Sequence, residues 1–149
     1  MTRLTVCVDA NICIKLIIGE HDSAQAVALW RQWRSQRAFV LAPTLWGYEM
    51  TSIVRKQVYR GLLAPEFERA TLAEVFKIPV RQIRPNNLHD RAWELAQRFN
   101  RPAAYDAHYL AVAELTGCPF WTADERLYNA IRRDLPWVHW LGNVTERAP

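Results

Sequence analysis

Apolar positions along the chain alternate between short β-like runs and longer stretches with helical spacing. Residues 4–8 (LTVCV) are apolar and rich in β-branched side chains, which is typical of a buried strand. Residues 87–99 instead place apolar side chains every three or four positions, on one stripe of a helix. Strand-like and helix-like segments follow one another in this way along the chain, and this alternation is the main clue to the fold.

The pattern predicts five strands, over residues 4–8, 37–42, 78–83, 118–122 and 137–141. It predicts helices over residues 10–18, 24–34, 43–60, 65–76, 87–99, 105–115 and 125–133. Pro43 and Thr44 are expected to open the third helix and Pro65 the fourth, while Gly61 and Gly117 end helices. Regular alternation of this kind indicates an α/β fold, with a mainly parallel sheet of about five strands between helical layers.

The chain has 149 residues and half of them are hydrophobic, which suits one domain with one core. We expect a single domain over residues 1–142 and a polar C-terminal tail over residues 143–149. No apolar run reaches the roughly 18 residues that a membrane span needs. The first residues also lack the layout of a signal peptide. The expectation is a cytoplasmic protein that does not insert into membranes.

Cysteine usage and charge narrow the chemistry. Cys7, Cys13 and Cys118 form no CxxC pair, so we expect reduced core thiols rather than a disulfide framework or structural zinc. Lysine and arginine total 19 against 15 acidic residues, for a net charge of +4. This balance permits a nucleic-acid partner, and it equally fits an ordinary solvated surface.

Three aspartates lie where strands or turns lead into helices. Asp9 directly follows the first strand, Asp124 follows the fourth, and Asp106 lies at a helix start. Each alone could be only a helix N-cap, because an aspartate oxygen accepts an otherwise unpaired backbone N–H.

Glu49 is harder to explain as a structural residue. It lies inside a predicted helix, with Leu45 and Ile53 four positions away on either side, so it projects from the apolar stripe. Glutamate is rarely buried there without a partner. A salt bridge to an arginine is the simpler alternative.

Adjacent strands of a parallel sheet end on one edge, so Asp9 and Asp124 are expected to meet there, with Asp106 and Glu49 completing a ring. At about 4 Å and an effective dielectric near 20, each like-charge pair costs on the order of 4 kcal/mol. Either some carboxyls are protonated or a divalent cation neutralises them. All-oxygen ligation favours Mg²⁺ or Mn²⁺, and such a site suggests phosphodiester hydrolysis.

Four segments carry a family resemblance: residues 8–11 (VDAN), 48–55 (YEMTSIVR), 105–114 (YDAHYLAVAE) and 121–127 (WTADERL). In order and spacing they resemble the PIN domain, and in particular the VapC-type toxins of bacterial toxin–antitoxin pairs. The likeness covers nearly the whole chain.

The resemblance implies a three-layer α/β/α fold and Mg²⁺- or Mn²⁺-dependent endoribonuclease activity, often on tRNA or rRNA. It also implies a VapB-like antitoxin that blocks the acidic site, and a homodimer. The residues that match the family's four acidic positions are Asp9, Glu49, Asp106 and Asp124. Asn11 and Thr122 match its polar supporting positions, although Ser or Thr is frequent where this chain has Asn11.

The chemistry assigns a role to each acid. Asp9 and Asp106 are expected to hold the principal metal, with Asp124 binding it directly or through water. Glu49 is expected to hold a second metal or to orient the attacking water. Arg126, two residues past Asp124, is the candidate contact to an RNA phosphate.

Other chemically suggestive residues are interpreted as structural. His108 lies two positions from Asp106 and should face another side of its helix, and Glu114 is expected to form a surface salt bridge. The seven tryptophans are mostly assigned to the core, although one or two could stack a base or line a partner groove.

Four further interpretations differ in class. A phosphorelay receiver needs an acidic pair after the first strand, and a haloacid-dehalogenase phosphatase needs DxD, whereas this chain has Asp9-Ala10-Asn11. A non-catalytic PIN module usually lacks one of the acids, and all four are present. A PIN nuclease in RNA processing or repair, outside any toxin system, stays open.

Overall fold

The computed structural model describes residues 3–145, which form a five-stranded sheet in the order β3-β2-β1-β4-β5. Its strands are β1 (Thr5–Val8), β2 (Phe39–Pro43), β3 (Arg81–Ile83), β4 (Phe120–Thr122) and β5 (Val138–Trp140). All four neighbouring pairs are parallel. The predicted α/β fold with a parallel sheet of about five strands is therefore confirmed.

Helices connect the strands, as parallel pairing requires. They are α1 (Ala10–Cys13), α2 (Ser23–Ser35), α3 (Leu45–Tyr59), α4 (Glu68–Val75), α5 (Leu88–Arg98), α6 (Tyr105–Thr116) and α7 (Glu125–Ile131). Short 3₁₀ turns cover Ile14–Leu16, Pro65–Phe67 and Leu141–Asn143. The arrangement matches the predicted three layers, and the helical layers bury the central strands.

Two predicted helix starts and one helix length were wrong. Pro43 does not open α3 but is the last residue of β2, in register with Ile83 of β3. Proline fits there because the ladder ends at this point and needs no further N–H donor. Pro65 opens a 3₁₀ turn, and the α-helix begins only at Glu68. The first helix is α-helical only to Cys13 and then tightens into a 3₁₀ turn.

The core lies on both faces of the central strands. Val6, Cys7 and Val8 of β1 are at most 1% exposed, as is Phe120 of β4. A strand buried on both faces is expected to be continuously apolar, which is why residues 4–8 show no polar alternation. The three cysteines are free and buried, which agrees with their prediction as core thiols.

The remaining expectations concern the tail and the membrane. Gln25 Nε2 donates a hydrogen bond of 2.9 Å to the carbonyl of Val144, so the chain stays packed just beyond residue 142. Residues 146–149 of the predicted tail lie outside the described residues, and the boundary at residue 142 stays a prediction. Between residues 3 and 145, no helix combines the length and the apolar character that a membrane crossing requires.

Candidate acidic site

Asp9 lies at the carboxyl end of the central strand and is only 5% exposed. As the N-cap of α1, its Oδ1 accepts a long hydrogen bond of 3.4 Å from the backbone N–H of Asn11. Its Oδ2 accepts a hydrogen bond of 3.0 Å from the hydroxyl of Thr122 at the end of β4. The pairing of β1 with β4 thus fixes this carboxylate from both sides.

Thr122 is fully buried and joins the two strand ends through one hydroxyl. While donating to Asp9, its Oγ1 accepts from the backbone N–H of Asp124 at 3.0 Å and from Asn11 Nδ2 at 3.3 Å. Asn11 closes the network, because its Oδ1 accepts the N–H of Ala123 at 3.0 Å. Both predicted supporting residues therefore contact the acidic strand ends directly.

Asp124 and Asp106 begin neighbouring helices in different ways. Asp124 is the N-cap of α7, with Oδ1 accepting the N–H of Leu127 at 3.1 Å. The capping role considered for Asp9 and Asp124 is therefore present alongside any chemistry. Asp106 is the second residue of α6 and caps nothing, since Ala104 is the N-cap. Its Oδ2 instead lies 3.6 Å from Arg101 Nη2.

Glu49 enters from the middle of α3 and is half-buried. The hydroxyl of Tyr109, a buried side chain of α6, donates a hydrogen bond of 2.6 Å to its Oε1. The arginine salt bridge considered from the sequence is not formed within the described part of the chain. A neutral phenol therefore holds Glu49, and the charge of Lys56 acts on the carboxylate without forming a salt bridge.

The carboxylates are electrostatically linked. Burial, together with the nearby charges of Glu49 and Asp106, raises the pKa of Asp9 to about 7, against the hydrogen bonds from Thr122 and Asn11, which lower it. Burial also raises the pKa of Glu49, with Asp106 adding to the effect and the Tyr109 hydrogen bond opposing it. The pKa of Asp106 is raised by burial and by the charge of Asp124, against the influence of Arg101. Four acids from four segments therefore act on one another.

This donor set fits a hard divalent cation that keeps part of its water. Within residues 3–145, no three histidine, cysteine, aspartate or glutamate side chains converge tightly enough to form a preformed metal cage. Mg²⁺ does not require one, because it commonly binds one or two carboxylates and completes its shell with water and substrate phosphate. The excess negative charge at Asp9 is the feature that such an ion would neutralise.

His108 and Glu114 do not bond to the four acids. His108 Nδ1 bonds the carbonyl of Ala104 at 2.6 Å, and its Nε2 lies 2.9 Å from His89 Nδ1 rather than at the acids. Glu114 accepts a hydrogen bond of 2.7 Å from Arg91, which is the expected surface salt bridge. Arg126 is exposed on α7, one turn from the acidic edge.

Two contacts of the site were missing from the sequence interpretation. Arg101 lies in the turn before α6 and brings the cation nearest to Asp106. Tyr109, three positions after Asp106, carries the only phenol bonded to Glu49 within residues 3–145. A spacing of three places Tyr109 and Asp106 on the same side of α6, and this was the available signal.

Comparison with known proteins agrees with this arrangement. A family model described as the PIN domain matches residues 6–132. Ribonuclease VapC9 of Mycobacterium tuberculosis is 28% identical over 131 residues, covering 88% of this chain and 94% of that protein. Ribonuclease VapC3 of the same organism is 30% identical over 137 residues, covering 92% of both. A solved toxin–antitoxin complex from Klebsiella pneumoniae shares the fold, with a TM-score of 0.60 and 20% identity over 97% of this chain and 99% of that one.

Proposed function

Because the chain belongs to the PIN-domain family, we propose that it is a divalent-metal-dependent endoribonuclease that hydrolyses phosphodiester bonds of RNA. The observation that carries the proposal is the buried Asp9, linked electrostatically to Glu49 and Asp106 at the carboxyl edge of the sheet. The names of the ribonucleases VapC9 and VapC3, similar along most of the chain, support the same activity.

In this proposal Asp9 and Asp106 hold the principal Mg²⁺ or Mn²⁺, and Asp124 contributes directly or through water. Glu49 holds a second ion or orients the attacking water. When bound, the ion lowers the pKa of water and stabilises the charge that develops on the phosphate. Thr122 and Asn11 hold Asp9 and the start of α7 in place, so that the ends of β1 and β4 keep their positions when the net charge of the site changes.

Two arginines, Arg126 and Arg101, are placed to bind phosphates of the RNA substrate. Arg126 on α7 is exposed and free to reach a phosphate, as proposed from its position next to Asp124. Arg101 lies beside Asp106 at the site. When RNA binds, its guanidinium exchanges the Asp106 carboxylate for a phosphate of the RNA backbone. Guanidinium groups suit this role because they bind two phosphate oxygens at once.

We extend the proposal to biological context. The enzyme acts on tRNA or rRNA, which places its work in the cytoplasm, and it is the toxin of a toxin–antitoxin pair. A VapB-like antitoxin covers the acidic site, and the toxin is a homodimer. The likeness to the toxin–antitoxin complex from Klebsiella pneumoniae and to the VapC ribonucleases supports the antitoxin partner.

The deciding experiment is cleavage of total tRNA and rRNA by the purified protein with Mg²⁺, with Mn²⁺ and with EDTA, using wild type and Asp106→Asn. The substitution keeps shape and removes a metal-binding charge, so activity should fall about 100-fold or more. Asp134→Asn, at an exposed aspartate outside the site, is the matched control and should cut at the wild-type rate.

Cutting that survives both EDTA and Asp106→Asn would contradict the acidic-site mechanism. Absence of cutting by protein shown to be free of antitoxin would favour a non-catalytic binding module. Metal-dependent cutting by a chain that no antitoxin inhibits would favour a PIN nuclease of RNA processing.

A further inference from the structure

Two exposed tyrosines stand directly beside two of the site acids. Tyr48 precedes Glu49 in α3, and Tyr105 precedes Asp106 as the first residue of α6. The two residues are 75% and 66% exposed. Single exposed apolar residues need no explanation, but two that share one cavity do.

Tyr48 and Tyr105 line the same cavity, of about 240 Å³. Pro43, Leu45 and Leu88 supply carbon atoms to its lining. The volume is smaller than that of sites that hold drug-sized ligands, and two aromatic rings are part of the lining. Its shape and chemistry suit one planar ring system.

A chain of hydrogen bonds fixes the polar end of the cavity. His108 Nδ1 must carry its proton, because it faces the carbonyl of Ala104 at 2.6 Å. In its neutral form, His108 Nε2 then accepts from His89 Nδ1 at 2.9 Å, and His89 Nε2 accepts from Arg84 Nη2 at 3.2 Å. Both imidazoles line the cavity, so their rings are held in one orientation.

Arg84 also extends the cavity toward a second, larger cleft. That cleft has a volume of about 520 Å³ and is lined by Arg84, Asn86, Asn87 and Asp90, among others. It shares His89 and Leu88 with the tyrosine cavity, so the two are neighbours. The guanidinium of Arg84 lies at the shared end and offers a positive charge next to an apolar slot.

We propose that the cavity between Tyr48 and Tyr105 binds one base of single-stranded RNA, next to the nucleotide whose phosphate is cut, and that Arg84 contacts the following phosphate. This inference rests on the proposed ribonuclease function and names a substrate subsite for it. Aromatic stacking suits unpaired bases because every base has a flat π-face, whereas duplex RNA offers none.

The combination of features favours RNA over a protein segment as the occupant. An apolar peptide side chain would also fill the cavity, but it carries no negative charge for Arg84 to bind. A nucleotide carries both a base for the cavity and a phosphate for Arg84. Glu49 and Asp106, which directly follow the two tyrosines in the chain, belong to the site where a phosphate is proposed to be cut. The net charge of +4 adds long-range attraction for RNA and not for a basic peptide.

Binding can be measured without cleavage in the Asp106→Asn background. The probes are a fluorescein-labelled RNA decamer of random sequence and a decamer of the same length and charge built from abasic ribose phosphate. Stacking contributes roughly 5- to 150-fold in affinity per base. The parent should therefore prefer the base-bearing decamer, and Tyr48→Ala or Tyr105→Ala should lose most of that preference while Tyr48→Trp retains it.

Tyr59→Ala is the matched control, because Tyr59 is a tyrosine of the same helix α3 with 82% exposure that does not line the cavity. It should leave the preference unchanged. Arg84→Gln should weaken both probes to a similar degree and lower the salt dependence of binding. In the cutting enzyme, the tyrosine variants should raise KM more than they lower kcat.

An unchanged preference in both tyrosine variants would overturn the subsite, as would an equal loss in Tyr59→Ala. Tyrosine variants that bind RNA normally but no longer bind an antitoxin would also overturn it, in favour of a protein occupant. Failure of the ribonuclease proposal is separate, because a wild type that cuts no RNA while retaining the tyrosine-dependent preference would leave the base site standing.

Discussion

The phenol of Tyr109 donates a 2.6 Å hydrogen bond to Glu49 Oε1, and this bond joins α6 to α3 at the acidic site. The two residues are 60 positions apart in the chain. Because Tyr109 is fully buried, solvent water does not replace Glu49 as the hydrogen-bond partner of its hydroxyl.

Tyr109→Phe should therefore reduce cleavage while leaving the fold intact. The substitution keeps the ring packing and removes only the donor, so Glu49 becomes free to change rotamer. We expect kcat to fall about 10-fold with little change in KM, and stability to fall by about 1 kcal/mol. Rates at saturating RNA and urea unfolding measure the two effects. Tyr128→Phe is the control, because within residues 3–145 the phenol of Tyr128 bonds only to Asn143. Equal kinetics in the two variants would show that Tyr109 does not position Glu49.

Asp9 should make the metal-free protein less stable as pH rises. Its folded pKa of about 7 exceeds the ordinary value of 3.8, so the folded state holds a proton that the unfolded state releases between these values. The unfolding free energy should therefore fall from about pH 4 to above pH 7, by at most on the order of 4 kcal/mol.

The side chain of Asp9→Asn does not ionise in this pH range, so the unfolding free energy of the variant should change less with pH. The variant should also lose cleavage activity. Thermal unfolding in EDTA across this pH range measures it, with Asp134→Asn as the control. Mn²⁺ at about pH 8 should stabilise wild type and leave Asp9→Asn unchanged. A wild type whose stability is level across the same range would show that Asp9 does not carry this proton.

Thr122 should be more sensitive to loss of its hydroxyl than of its methyl group. Thr122→Val keeps the volume but leaves Asp9 Oδ2 and the N–H of Asp124 without their partner, so it should destabilise the protein by about 1–3 kcal/mol. It should also lower cleavage at least 10-fold. Thr122→Ser retains the hydroxyl and should lose only about 1 kcal/mol, with near-normal activity. The reverse order would mean that packing alone matters at this position.

The Arg91–Glu114 pair should contribute to stability and not to cleavage. Arg91 lowers the pKa of Glu114, so the contribution is complete above the ordinary value of 4.5 and is lost as pH falls through the lower folded value. Because both groups are about one third exposed, Glu114→Gln should cost no more than about 1 kcal/mol at neutral pH. That cost should shrink at high salt and at about pH 2. Unfolding curves measure it, and a loss of RNA cleavage in this variant would contradict a purely structural role.

The elements and the four acids could be predicted from local pattern, because periodicity and strand ends are properties of short segments. The full spatial order of the strands could not, because the pattern placed only the ends of β1 and β4 together and gave no order to the other three strands. Local patterns also fail where tertiary contacts decide. The sequence around Pro43 favoured a helix start, but this residue pairs with β3 instead. The contacts of Arg101 and Tyr109 form only once α6 has packed.

The pairing of β1 with β4 has a consequence for protein synthesis. Asp9 is synthesised well before the hydroxyl that holds it, which belongs to a residue 113 positions later. A ribosome that releases the chain before Thr122 would produce a fragment with the first carboxylate and without its anchor, its neighbouring strand or Asp124. Under the proposed function, translation that stops before Thr122 yields fragments without the complete acidic site, and only a chain that includes Thr122 and Asp124 can become harmful to the cell that makes it.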